Sequence, residues 1–195
     1  MGFNQGANGN LVITQQDNNG NPIDFDTVTG DSYQVQLSLE HHEIHAGKHF
    51  TSSVIDADTD SGGSKNWAFV SPDTTTRIHL TGQLYSSSSG VLEFYENPTM
   101  TGSGNAITIL NNDRNSVTSP TLAFYDDPTV TGSDIGSRLV VQTIGTKATG
   151  PFGGAGGNVN RAREFILKQG EQYLVKFVPD NDDTRLSLSL EWYEV

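Results

Sequence analysis

The chain has no cysteine, which excludes disulfide staples and thiolate metal sites. Basic residues are scarce: 11 Lys and Arg against 23 Asp and Glu leave a net charge of −12. A protein of that sign repels phosphate, so neither nucleic acid nor an anionic membrane is an expected partner. Charge of either sign is thin, at 17% of the 195 residues, and Ser, Thr, Asn and Gly fill the surface instead. No apolar run approaches the ~18 residues of a spanning helix. Met1 to Gln5 lacks the basic and apolar regions of a secretory signal. Catalytic motifs are missing as well. Gly47-Lys48 is followed by His49 where a phosphate loop needs Ser or Thr, and there is no Gly-x-Ser-x-Gly elbow. The expectation is a protein that is not an enzyme, with no catalytic residues and no cofactor.

What the chain has is a repeat. Leu92-Glu93-Phe94-Tyr95-Glu96-Asn97-Pro98-Thr99-Met100-Thr101-Gly102-Ser103 returns as Leu122-Ala123-Phe124-Tyr125-Asp126-Asp127-Pro128-Thr129-Val130-Thr131-Gly132-Ser133, with eight of twelve positions identical. Each copy alternates apolar and polar residues, turns at an acidic-Pro-Thr segment and runs on to a second apolar stretch. That pattern predicts two superimposable β-hairpins with Leu92, Phe94, Leu122 and Phe124 buried. In each copy the tyrosine takes the opposite face, so Tyr95 and Tyr125 are candidates for a protein interface or a sugar-stacking platform.

Period-two alternation recurs elsewhere. Val35, Leu37 and Leu39 predict a half-buried strand from Tyr33 that runs on into the histidines. Trp67 to Val70, Arg77 to Leu84 and Leu186 to Trp192 predict further strands. Arg163 to Lys168 and Tyr173 to Val178 predict a third hairpin around Gln169 to Gln172. In the Gly- and Asn-rich start, Leu11 to Ile13 and Ile23 to Phe25 can form a small hairpin across Asn18 to Asn21. Residues 149–160 read as a glycine-rich loop. The seven prolines fall at run boundaries or in loops. Together these features predict an all-β fold, an antiparallel β-sandwich or jelly-roll-like domain over residues 33–195, with an extended N-terminal arm over residues 1–32.

Four of the five histidines fall within nine residues: His41, His42, His45 and His49. On a strand, His41, Glu43 and His45 share a face and are the residues that would hold an ion. The spacing is one residue short of a helical His-Glu-x-x-His site, so a metal-free, hydrogen-bonding or subunit-contact role is expected. His42, His45 and His49 join Tyr95 and Tyr125 as interface candidates. Asp56 to Ser64 reads as an acidic, Gly-rich loop. Its Asp56-Ala57-Asp58-Thr59-Asp60 start resembles an EF-hand loop but has Ser61 and Trp67 where Gly and Glu are needed, and a solvated turn is expected there and at Asp180 to Asp183.

Several segments in order carry a likeness. These are Glu40-His41-His42-Glu43-Ile44-His45-Ala46-Gly47-Lys48-His49-Phe50, Ser71-Pro72-Asp73-Thr74-Thr75-Thr76 before the strand with His79, and Asn111 to Ser116 between the repeats. Arg163-Glu164-Phe165-Ile166-Leu167-Lys168-Gln169 before Tyr173-Leu174 and the ending Glu191-Trp192-Tyr193-Glu194 complete the set. From about residue 40 onward the chain resembles small virion structural proteins of tailed phages, of the kind encoded beside the major capsid protein. The resemblance implies a head decoration (cement) protein on the capsid exterior that binds the major capsid protein and itself, often as a homotrimer. It transfers no catalytic residues. A head-fibre or tail protein that binds host glycans is the first alternative, and a jelly-roll enzyme or carbohydrate-binding module of cellular origin the second.

Overall fold

The computed structural model describes residues 3–5, 11–13, 39–131, 135–145, 155–158 and 164–195. Two compact units divide between Ser38 and Leu39. In the first, strand β1 (Phe3–Gln5) pairs antiparallel with β2 (Leu11–Ile13). Leu11 to Ile13 is thus a strand as expected, but its partner lies upstream. The expected partner Ile23 to Phe25, the turn at Asn18 to Asn21 and the run from Tyr33 to Ser38 lie outside the described residues.

The second unit opens with helix α1 (Leu39–His45), then β3 (His49–Thr59), β4 (Lys65–Val70), β5 (Ile78–Ser86) and β6 (Gly90–Glu96). Short strands follow: β7 (Met100–Gly102), β8 (Asn105–Ala106), β9 (Leu110–Asn111), β10 (Ala123–Asp126) and β11 (Thr129–Val130). The rest are β12 (Ser137–Ile144), β13 (Ala155–Asn158), β14 (Phe165–Ile166), β15 (Gln172–Pro179) and β16 (Thr184–Glu194). All ladders are antiparallel. One sheet runs β13-β5-β16-β3-β9, with β14 also on β5, and the other runs β12-β6-β15-β4-β10-β8. The two face each other across a single core, with Phe50, Leu84, Leu188 and Trp192 from the first against Trp67, Phe69, Phe94 and Phe177 from the second. The all-β antiparallel sandwich expected from the alternation is the fold, and Leu92, Phe94, Leu122 and Phe124 are all buried in it.

The repeats do not close on themselves as hairpins. They exchange halves. β6, from the first copy, pairs with β12 beyond the second, and β10, from the second copy, pairs with β8 beyond the first. Their turns form a small ladder of their own, β7 with β11. The six-stranded sheet therefore has an approximate two-fold relation, with β15 and β4 at its middle. Matched residues repeat the geometry: Asn97 and Asp127 both adopt positive φ, 55° and 52°, directly before a proline. Gly104 sits over the Asp126 carbonyl and Gly136 over the Glu96 carbonyl, so each repeat's glycine covers the other repeat's turn. Asn and Asp tolerate this left-handed backbone better than other side chains do, which explains their use at both turns.

Two more expectations are corrected. Phe165–Ile166 joins β5 in the opposite sheet and leaves β15 to pair with β4 and β6, so the third hairpin does not form. The histidine segment is helical over Leu39–His45 and is not the continuation of a strand. Gly47 ends that helix with φ of 68°. The Lys48 amide donates to Glu43 O at 2.9 Å and the Gly47 amide to Ile44 O at 3.0 Å, a paired arrangement that satisfies the last carbonyls of the turn.

Candidate functional site

The outer face of the β3-β16-β5 sheet ends in a row of three aromatic rings. Tyr193 on β16 stands directly opposite His49 on β3 and His79 on β5 in the ladder register. Its ring is stacked on both, with centroids 4.5 Å from His79 and 6.5 Å from His49. Period-two geometry places Glu191 one step along on the same face, between Thr51 and Thr81. Helix α1 supplies Glu40, and Glu164 comes from the residue before β14. These side chains line a polar cavity of about 200 Å³.

Within it, His79 Nδ1 is hydrogen-bonded to Glu164 Oε1, which also accepts from the Tyr193 hydroxyl at 2.9 Å. His49 Nε2 lies 3.6 Å from Glu40 Oε1, and the buried His49 ring is held from behind by Asn112, whose Nδ2 is 2.7 Å from Nδ1. Burial, the bond to Glu164 and the negative charges of Glu164, Glu40 and Glu43 push the Tyr193 phenol up to about 12. No lysine or arginine lines the cavity among the described residues. Ligand atoms of Glu40, His49 and Glu191 all lie within 4.8 Å of one another, the spacing of a cation site.

The residues expected from the sequence separate. His41 and His45 sit one helical turn apart on the exposed side of α1, their Nε2 atoms 3.0 Å apart. Glu43 does not share that face. It is buried, with Oε1 3.1 Å from His42 Nδ1 and Oε2 without a hydrogen-bond partner. The expected His41–Glu43–His45 face was a strand face, and the helix dissolves it. Of the interface candidates, Tyr95 is 5% exposed. Burial and the Glu93 carboxylate raise its pKa, with Arg138 opposing. Tyr125 is half-buried, opposite Ala68 on β4. Tyr95 and Tyr125 are therefore not a matched pair of exposed rings.

The acidic loop is shorter than expected, because β3 continues to Thr59. Asp56 points inward and pairs with Lys65 at 2.9 Å. Asp58, Asp60 and Asp183 come together as three exposed carboxylates, with the Asp183 amide donating to Asp60 Oδ1 at 3.3 Å. Glu191, Glu164 and His79 were not among the site residues expected from the sequence. They reach the cavity only because distant strands align. The one available signal was that Glu191 and Tyr193 are the wet-face residues of the strongest alternation in the chain.

Comparison with known proteins returned no family model, no curated protein and no solved structure that matches this chain.

Proposed function

We propose that the chain is a non-enzymatic virion structural protein that decorates and stabilises the exterior of an icosahedral phage capsid. The observation that carries this reading is the outer face of the β3-β16-β5 sheet. Away from the cavity, two successive rows, Ser53–Ser189–Gln83 and Ile55–Ser187–Tyr85, carry no charge, and exposed Arg185 follows at the far end of β16. Ile55 is 75% exposed and Tyr85 50%. β9 pairs only with Phe50 and Thr51, so the edge of β3 from Ser53 has no strand partner there among the described residues. A neutral face beside an open edge suits docking of another subunit, whose extended segment adds hydrogen bonds to the ladder. The net charge of −12 suits the outside of a shell better than its DNA-facing lumen.

The apolar cavity gives no support to a small-molecule substrate. The cavity between the sheets, lined by Leu84, Leu92 and Phe94 among others, measures about 60 Å³, well under the ~300 Å³ of typical ligand pockets. The partners proposed are the major capsid protein and further copies of the chain, as a homotrimer. Docked only on the intact shell, such a protein stabilises it by mass action. The glycan-attachment reading lost its main support with the burial of Tyr95. The test is a side-chain-resolution map of the parent particle, with heat challenge of capsids stripped of the protein. Copies bridging capsomers, and stripped shells that open at lower temperature, are expected. Stripped shells of unchanged heat resistance, with the protein at the tail tip, overturn the proposal.

A further inference from the structure

We infer that the polar cavity is a binding site for one divalent transition-metal ion of the Zn²⁺ type, held by Glu40, His49 and Glu191. This inference goes beyond the capsid reading and is independent of it. The donor set is one imidazole and two carboxylates drawn from three different elements, the helix and two neighbouring strands. Around zinc, with ligand bonds of ~2.0–2.1 Å, tetrahedral donors stand about 3.3 Å apart. Glu40 and His49 are already close to that, at 3.6 Å. Glu191 is exposed on its strand and needs only a rotamer adjustment to close the triangle, since all three ligand atoms lie within 4.8 Å. Water completes the coordination from the open side.

Three further observations point to a cation. The cavity holds the carboxylates of Glu40, Glu164 and Glu191 with no lysine or arginine among the lining residues, so its charge balance favours a positive ligand. His49 is 3% exposed and oriented from behind, so little freedom is lost on ligation. Ligating histidines usually have their second nitrogen held in this way. With its carboxamide turned to present Oδ1, Asn112 accepts from Nδ1–H and leaves Nε2 for the metal, a change between ends of nearly identical shape. Lastly, Glu164 Oε1 is shared by His79 and Tyr193, whereas the Glu191 carboxylate is the one that comes together with Glu40 and His49. Imidazole favours zinc over calcium or magnesium, and the Irving–Williams order places zinc above manganese. The bound ion would fasten α1 to the sheet.

The exposed His41–His45 pair is a competing imidazole site, so the test removes it first. A tag-free, chelator-treated full chain carrying His41→Gln and His45→Gln is titrated with ZnCl₂ and followed by calorimetry and thermal melting. The inference expects one zinc per chain with a raised melting temperature, and weaker binding of MnCl₂. In that background, Glu191→Gln and Glu40→Gln should each weaken zinc binding at least about tenfold. The metal-free melting temperature of the Glu191→Gln variant should be unchanged or higher, because that change relieves carboxylate repulsion in the cavity. No saturable zinc site in the His41/His45 background overturns the inference, as does zinc binding unaltered by Glu191→Gln.

Discussion

Lys65 Nζ stands 2.9 Å from Asp56 Oδ2, an ion pair that joins the two sheets through the interior of the sandwich. Lys65 lies in register with Phe177 on the inner face of its sheet, and Asp56 with Leu186 on the inner face of the other. Asp126 and Asp127 complete the clamp at 3.0 Å and 2.7 Å. Burial disfavours the ammonium, but the bonds it donates to Asp127, Asp56 and Asp126 outweigh that and hold its pKa above the ordinary lysine value. Removing one partner of such a cluster leaves the others as uncompensated charges. Lys65→Met should therefore cost on the order of 3–5 kcal/mol in urea or guanidinium unfolding. A loss under about 1 kcal/mol would mean that the carboxylates are as well served by water.

The same clamp sets an acid limit. Burial acts to raise the Asp56 pKa, but the bonds from Lys65 and the Asp58 amide prevail and hold it below 3.8. A carboxylate depressed by folding contributes its full stability above the unfolded value and loses it as pH falls through the folded value. Stability should thus fall below about pH 4. Asp56→Asn should flatten the fall, as read by denaturant midpoints measured between pH 6 and pH 2.

Glu194 should behave as a structural tether. Its buried carboxylate accepts from the Thr121 amide at 2.9 Å, the Thr121 hydroxyl at 2.7 Å, the Leu122 amide at 3.2 Å and Trp192 Nε1 at 3.1 Å. Glu194→Gln replaces one acceptor oxygen with a donor that faces other donors, at an expected cost of about 1–3 kcal/mol. Tryptophan fluorescence should shift with it, because the negative charge beside the Trp192 indole is lost. Unchanged stability and an unchanged spectrum would refute the tether.

The two-fold relation between the repeats makes a paired forecast. A Cβ on Gly104 would lie 2.1 Å from Asp126 O, and one on Gly136 would lie 2.3 Å from Glu96 O, both at positive φ. Gly104→Ala and Gly136→Ala should each destabilise by more than about 1 kcal/mol. The two losses should be similar. A large loss at one site and none at the other would break the equivalence.

The strands were legible where alternation alone decides which face is buried. Leu186, Leu188, Leu190 and Trp192 point inward because period two on a half-buried strand admits no other register. Which strand pairs with which was not legible. The repeats carry every local mark of a hairpin, yet a run such as Leu92 to Tyr95 is equally suited to any antiparallel neighbour. The helix was missed because Leu39 prolongs the alternation of Val35 and Leu37. The overlooked mark was Ala46-Gly47-Lys48, a glycine stop after about two helical turns rich in Glu and His. The cavity was half legible. His49 drew notice as part of the histidine cluster, whereas Glu191 looked like an ordinary wet-face residue, since spacing along the chain says nothing of a neighbour 140 positions away.

Exchange of the repeat halves also bears on how the chain folds. Glu96 finds Ser137, and Asn105 finds Asp126, so neither copy can complete its ladder until the other has formed. The pair is one cooperative unit of high contact order, which slows folding relative to two local hairpins. The same ladders can also close between two molecules whose halves trade places. Concentrated refolding should then trap swapped dimers built from native pairings, and the yield of monomer should rise with dilution.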